Sequence, residues 1–206
     1  MISRRTLLTR TGLLATALGG VWLVRDRIPW PAPAIQLDSG QPTPWLPMPP
    51  TGGLIEITVT VMGRSLRAIV DSGAQMSAID AVLAERLRLP RNFAAPMLAY
   101  GVSGKPDLTH SVRLNLDLPG LSIRGLHAAA LDLAGVSDLS GREFQMLIGR
   151  DILRHLAVEA DFPAARTRFL PSGVYAPPRD AQELPLQSRN GAALVSIRVE
   201  ASKPLE

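Results

Sequence analysis

Apolar and polar positions alternate along much of this chain with the period of strands. Residues 54–61 read Leu-Ile-Glu-Ile-Thr-Val-Thr-Val, which predicts a half-buried strand rich in β-branched side chains. Met62-Gly63-Arg64-Ser65 turns the chain, and residues 66–70 return as the partner strand, running straight into Asp71-Ser72-Gly73. Residues 97–105 set Gly101 and Gly104 between apolar runs and read as a hairpin. Residues 110–118 alternate through Val112, Leu114, Leu116 and Leu118 to a Pro119-Gly120 turn, and 121–133 give one or two further strands. After a polar loop over 135–143, residues 144–148 form an apolar strand that breaks at Gly149 and passes into a short helical pattern. Residues 157–162 and 167–170 predict a closing β-ribbon. One other helix is expected, capped by Asp80 and carried through Leu89 to its stop at Pro90. Many short strands separated by turn residues indicate an all-β, barrel-like domain with one or two short helices.

The two ends differ from this middle. Arg4-Arg5 precede a weakly apolar stretch over residues 12–24, the arrangement of a twin-arginine export signal. That stretch is short for a membrane-spanning helix, which takes about 20 residues. Ala32-Pro33-Ala34 offers a small-residue cleavage site, and an uncleaved anchor is the competing reading. On either reading the folded part lies outside the cytoplasm, periplasmic or extracellular, touching a membrane only through its N-terminal segment. Residues 35–50 are proline-rich and read as an extended linker. At the far end, residues 194–199 echo the alternation of 55–61. The chain therefore divides into a targeting segment (1–34), a linker (35–50), a β lobe (51–172) and a proline-containing segment with a terminal strand (173–206).

Composition narrows the possible functions. Hydrophobic residues make up 46% of the chain but aromatics only 4%, so Leu, Val, Ile and Ala must fill the core. Five of the 22 basic and one of the 18 acidic side chains lie in residues 1–34, so the net charge of +4 belongs to the targeting segment. The remainder is neutral and carries no basic run, which argues against nucleic-acid binding. With no cysteine, disulfides, thiol nucleophiles and cysteine-based zinc sites are excluded. His110, His127 and His155 are scattered without ligand spacing, so no metal or cofactor is expected.

The candidate chemistry sits at Asp71. Taken alone, Asp-Ser-Gly is an ordinary turn between strands. Its setting is less ordinary, because a carboxylate ending an apolar run is costly to bury unless something pairs with it. Some seventy residues on, Leu147-Ile148-Gly149-Arg150-Asp151-Ile152-Leu153 forms a second distinctive stretch. The pair of motifs resembles the retroviral-type, or retropepsin-like, aspartic proteases over residues 51–172. That resemblance implies a closed or partly open barrel lobe with Asp71 as the catalytic aspartate. It implies loop support from Ser72, Gly73 and Ala74, and a strand and helix at Ile148, Gly149 and Arg150 packed beneath the site. It also makes Gly101, Val102, Ser103 and Gly104 the flap over a peptide or protein substrate, where the residues alone fit a plain glycine-rich surface hairpin equally well.

Such an enzyme hydrolyses peptide bonds with two carboxylates around one water, and this chain supplies one Asp-Ser-Gly. The resemblance therefore implies a homodimer, with residues 173–206 as either an interface strand or the start of a second lobe. The alternative is a lobe without catalysis that binds peptides through the same cleft. Ser72 as a hydrolase nucleophile is disfavoured, since no Gly-x-Ser-x-Gly elbow surrounds it. Asp151, at a helix start, reads as structural. One departure from the family pattern stands out. Retroviral enzymes usually carry an acidic residue where Gln75 stands, pairing the arginine of the Gly-Arg motif, so Arg150 is left to Gln75, Asp151 or Asp80.

Overall fold

The computed structural model describes residues 31–49, 53–100, 106–134, 143–173, 178–189 and 192–194. Its strands are β1 (Ala34–Leu37), β2 (Leu46–Pro47), β3 (Glu56–Val61), β4 (Arg64–Val70), β5 (Ala78–Asp80), β6 (Arg91–Tyr100) and β7 (Pro106–Leu118). They continue with β8 (Leu121–Leu131), β9 (Met146–Ile148), β10 (Leu156–Asp161), β11 (Arg166–Pro171), β12 (Gln187–Arg189) and β13 (Ala192–Leu194). The described residues also include two short α-helices, α1 (Ala81–Arg86) and α2 (Arg150–Leu153).

Six strands close into a barrel in the order β8-β5-β9-β4-β3-β7, with β7 pairing back onto β8. β1 and β6 extend it at the edges, and β10-β11-β2 form a separate small sheet. The alternation read from sequence is what fills the interior. Ile57, Val59 and Val61 of β3, Leu114 and Leu116 of β7, and Ile123 and Leu126 of β8 are all buried in one cluster. Each such side chain contributes about 1.5–3 kcal/mol on leaving water.

Turn chemistry sets the registers. Met62 and Gly63 both take positive φ, 49° and 76°, in the two-residue hairpin that pairs Val61 with Arg64. That backbone matches the right-handed twist of the strands it joins. The 121–133 stretch is one strand, β8, with a bulge: the register slips between Leu114 and Leu116, opposite Gly125 at φ 69°. The Asn115 side chain accepts the Gly125 N–H at 2.9 Å.

Two expectations are corrected. Residues 35–50 are not a free linker, because β1 pairs along β8 (Ala34 opposite Arg124, Leu37 opposite Leu121) and β2 pairs with β11. Between them Thr43 is buried, exchanging hydrogen bonds with the backbone of Phe169. Trp45 lies under the guanidinium groups of Arg166 and Arg168 at 4.4 and 4.5 Å, and Pro47 sits on an edge strand where its missing N–H costs nothing. The helix from Asp80 is also shorter than expected. Asp80 does cap it, accepting the Leu83 N–H at 2.9 Å, which contributes about 1 kcal/mol. But α1 ends at Arg86, and Arg88 turns the chain at φ 51°, so Leu87 and Leu89 reach the core from the turn. The tip of the 97–105 hairpin, residues 101–105, lies outside the described residues, though Tyr100 pairs with Pro106 beside it. Residues 195–199 of the terminal strand also lie outside them.

Among the described residues no helix is long and apolar enough to cross a membrane.

Candidate active site

β9 lies between β4 and β5, parallel to the first and antiparallel to the second. The parallel register, Ala68 opposite Met146 through Val70 opposite Ile148, makes β4 and β9 end side by side. Asp71 therefore emerges next to Gly149. The chain must then cross the end of β9 to reach β5, and residues 71–77 form that arch. This is how two motifs some seventy residues apart come to share one site.

The arch is tied down at three points. At its start the Asp71 N–H donates to the Ile148 carbonyl at 2.9 Å. In its middle the Arg150 N–H donates to the Ala74 carbonyl at 2.9 Å. At its end Ser77, fully buried, donates its N–H to the Asp151 carboxylate at 3.0 Å and its hydroxyl to Asp151 Oδ1 at 2.8 Å. The Ser77 hydroxyl in turn accepts the Gly149 N–H at 3.1 Å.

Gly149 is demanded by close approach, since its backbone angles are ordinary (φ −99°, ψ −172°). A Cβ there would sit 2.5 Å from the Met76 carbonyl carbon, 2.7 Å from its oxygen and 2.9 Å from the Ser77 nitrogen.

Asp71 is partly exposed. Its Oδ1 accepts the Gly73 N–H at 2.8 Å, which orients the carboxylate. A Cβ on residue 73 would press to 3.1 Å from that oxygen, so glycine keeps the carboxylate uncovered. Ser72 is exposed, and Ala74 acts through its backbone. The structure thus gathers Asp71, Ser72, Gly73, Ala74, Ile148, Gly149 and Arg150 at one end of the barrel. Gly101, Val102, Ser103 and Gly104 lie outside the described residues.

Two of the partners open to Arg150 are otherwise engaged. Asp151 is turned to Ser77 and Asp80 caps α1. Asp151 holds the start of α2, accepting the Ile152 N–H at 3.0 Å, as its position at a helix start suggested. Ser77 was not legible as a site residue. The signal was a small hydroxyl set inside the apolar run Met76-Ser77-Ala78-Ile79, where a polar group needs a partner.

Burial pushes the Asp151 carboxyl above its ordinary value of 3.8, against the opposing pull of the Ser77 and Ile152 donors and the nearby Arg154 charge. Between the ordinary and the raised value the folded state holds the proton more tightly than the unfolded chain does. Stability from this group is therefore fully present below 3.8 and lost as pH rises through the raised value. The urea midpoint of wild type minus that of Asp151→Asn should fall with rising pH across this window. A difference that is flat or rises with pH would contradict the assignment.

A carboxylate oriented through one oxygen, with its second oxygen making no hydrogen bond among the described residues, can act as a general base on water. The other carboxylate joined to the arch, Asp151, is held on Ser77.

Residues 57–152 match the family described as aspartyl protease. Among solved structures, the chain is similar to a retropepsin-like aspartic protease from Rickettsia conorii. The identity is 12%, over 67% of this chain and 95% of that one, with a TM-score of 0.44. It is also similar to the retroviral protease-like domain of Ddi1 from Leishmania major, at 18% identity over 61% of this chain and 100% of that one, with a TM-score of 0.37. No curated protein matches the sequence.

Proposed function

We propose that the chain is a retropepsin-like aspartic endopeptidase, active as a homodimer, a reading supported by the match of residues 57–152 to the aspartyl protease family. The observation that carries this reading is Asp71 itself, held at the end of β4 by the Ile148 carbonyl and the Gly73 N–H, with one carboxylate oxygen making no hydrogen bond among the described residues.

One such carboxylate is half of a mechanism. Peptide hydrolysis needs a base to deprotonate the water and an acid to polarise the carbonyl. Two Asp71 side chains meeting across a two-fold axis supply both, because like charges that close share one proton. The ionised member takes the proton of the attacking water, and the protonated member donates to the carbonyl oxygen. The pair titrates as a unit. On this reading the exposed Ser72 hydroxyl bonds across the axis and joins the two loops. The substrate is an extended peptide or a protein segment. Arg4-Arg5 and the apolar stretch that follows support export of the lobe.

The test is the mass in solution of residues 33–206, one compact unit, by light scattering over a concentration range, alongside cleavage of a peptide library from acid to neutral pH. A dimer that cleaves, and is blocked by a peptide carrying a hydroxyethylene in place of the scissile bond, is expected. A strict monomer that binds peptides without turnover would replace this reading with a peptide-binding lobe.

A further inference from the structure

The arch that carries Asp71 has little to hold it from within. Its internal bonds are the Gly73 N–H to Asp71 Oδ1 at 2.8 Å and a longer one from the Ala74 N–H to the Asp71 carbonyl at 3.3 Å. Ser72, Gly73 and Gln75 are exposed, so packing contributes little there. The order of the arch must come from its ties to β9, α2 and β8, the last through the Ala129 N–H to the Ser77 carbonyl at 2.9 Å. Three of those ties are backbone bonds that any side chain would permit. The fourth, from Ser77 to Asp151, is written in side chains.

We propose that Ser77 and Asp151 form a positioning clamp, which fixes the arch on α2 and thereby sets where Asp71 stands for catalysis. The inference rests on the protease reading above. Asp151 projects from the first turn of α2 and meets Ser77 across a sequence separation of 74 residues. Its carboxylate takes the Ser77 N–H, the Ser77 hydroxyl and the Ile152 N–H, all between 2.8 and 3.0 Å. Hydrogen bonds to a carboxylate are shorter and stronger than neutral ones. Ser77 passes the tie onward by accepting the Gly149 N–H at 3.1 Å. One buried hydroxyl thus joins the end of the arch, the end of β9 and the start of α2. Neither residue touches the reacting atoms, so their effect on catalysis runs through Asp71.

Removing the Asp151 carboxylate strands the Ser77 N–H and O–H, which lie in a spot closed to water. The arch then has to lift to satisfy them, and Asp71 moves with it. A misplacement of about 1 Å by a change away from the chemistry can cost on the order of 10²-fold in rate. Asparagine at 151 keeps an oxygen in the Oδ1 position, where three of the donors converge.

The test compares the full-length wild type with Asp151→Ala, Asp151→Asn and Ser77→Ala, on one fluorogenic peptide below the melting temperature of each. Asp151→Ala is expected to lower kcat on the order of 10²-fold with KM changed little, and Asp151→Asn to recover most of it. Ser77→Ala should fall between. Hydrogen exchange at the Ala74–Ser77 amides should quicken in Asp151→Ala, whether or not the chain turns over substrate. A folded Asp151→Ala with wild-type kcat, a loss that Asp151→Asn does not recover, or unchanged exchange in the arch would each overturn the clamp. If instead Asp71→Asn cleaves as fast as wild type, the protease reading fails, and the exchange comparison alone judges the clamp.

Discussion

Asp71→Asn is expected to lower kcat/KM on peptide substrates by about 10²–10⁴-fold, the usual worth of a positioned acid or base, and to leave the melting temperature unchanged or slightly raised. The substitution is close to isosteric. Its side-chain oxygen still accepts the Gly73 N–H, so the arch keeps the shape that the Ile148, Ala74 and Ser77 ties give it. What is lost is the ability to hold and release a proton, which a neutral amide cannot do. Stability should not suffer, because the substitution removes a like-charge contact across the proposed dimer axis. Peptide turnover against pH, with a thermal melt of the same samples, checks both halves. A variant that is inactive because it unfolds would say nothing about proton transfer. A folded variant with substantial activity would remove Asp71 from the mechanism.

Gly149→Ala should be the most damaging small substitution in the lobe. The added carbon would stand 2.5 Å from the Met76 carbonyl carbon and 2.9 Å from the Ser77 nitrogen. Both are backbone atoms of the arch, so no side chain can swing aside to make room. Either β9 drops away from the arch or the arch lifts from β9, and both movements break the Asp71 N–H to Ile148 bond and the Ser77 clamp. Overpacking of a rigid site costs typically 1–3 kcal/mol, and this position falls at about 3 kcal/mol. For a domain of this size that is a melting-temperature drop on the order of 10 °C. Activity should fall beyond the loss of folded protein, because the surviving molecules hold Asp71 in the wrong place. Differential scanning calorimetry with activity per folded molecule separates the two effects. A neutral Gly149→Ala would mean that the arch does not cross β9 as closely as described.

Much of this site was legible in the sequence because its parts are local. An apolar strand ending in Asp-Ser-Gly, and another ending in Gly-Arg-Asp, each mark a strand end by themselves. The long alternation of residues 110–118 exposed its buried face directly, as Leu114 and Leu116 show. What sequence could not supply was the meeting of distant parts. β1 spans four residues between prolines and a turn, too few for a period to emerge, and it becomes a strand only because the edge of β8 is free to pair with it. β2 is held by Trp45 under two arginines and by Thr43 against Phe169, contacts that no local pattern announces. Leu87 and Leu89 suggested a longer helix because burial, not helicity, set their spacing. Ser77 gains its partner only because the parallel pairing of β4 with β9 brings Asp151 to it.

The central claim is that one catalytic centre needs an Asp71 from each of two chains. Subunit mixing tests it most directly: wild type and Asp71→Asn are allowed to exchange at equal concentrations, and peptide cleavage is compared with the same total of wild type alone. If both aspartates are required and pairing is random, activity falls to about one quarter, because only wild-type pairs cleave. Activity of about one half, in proportion to the wild-type chains present, would show that each chain works by itself and would contradict the shared dyad.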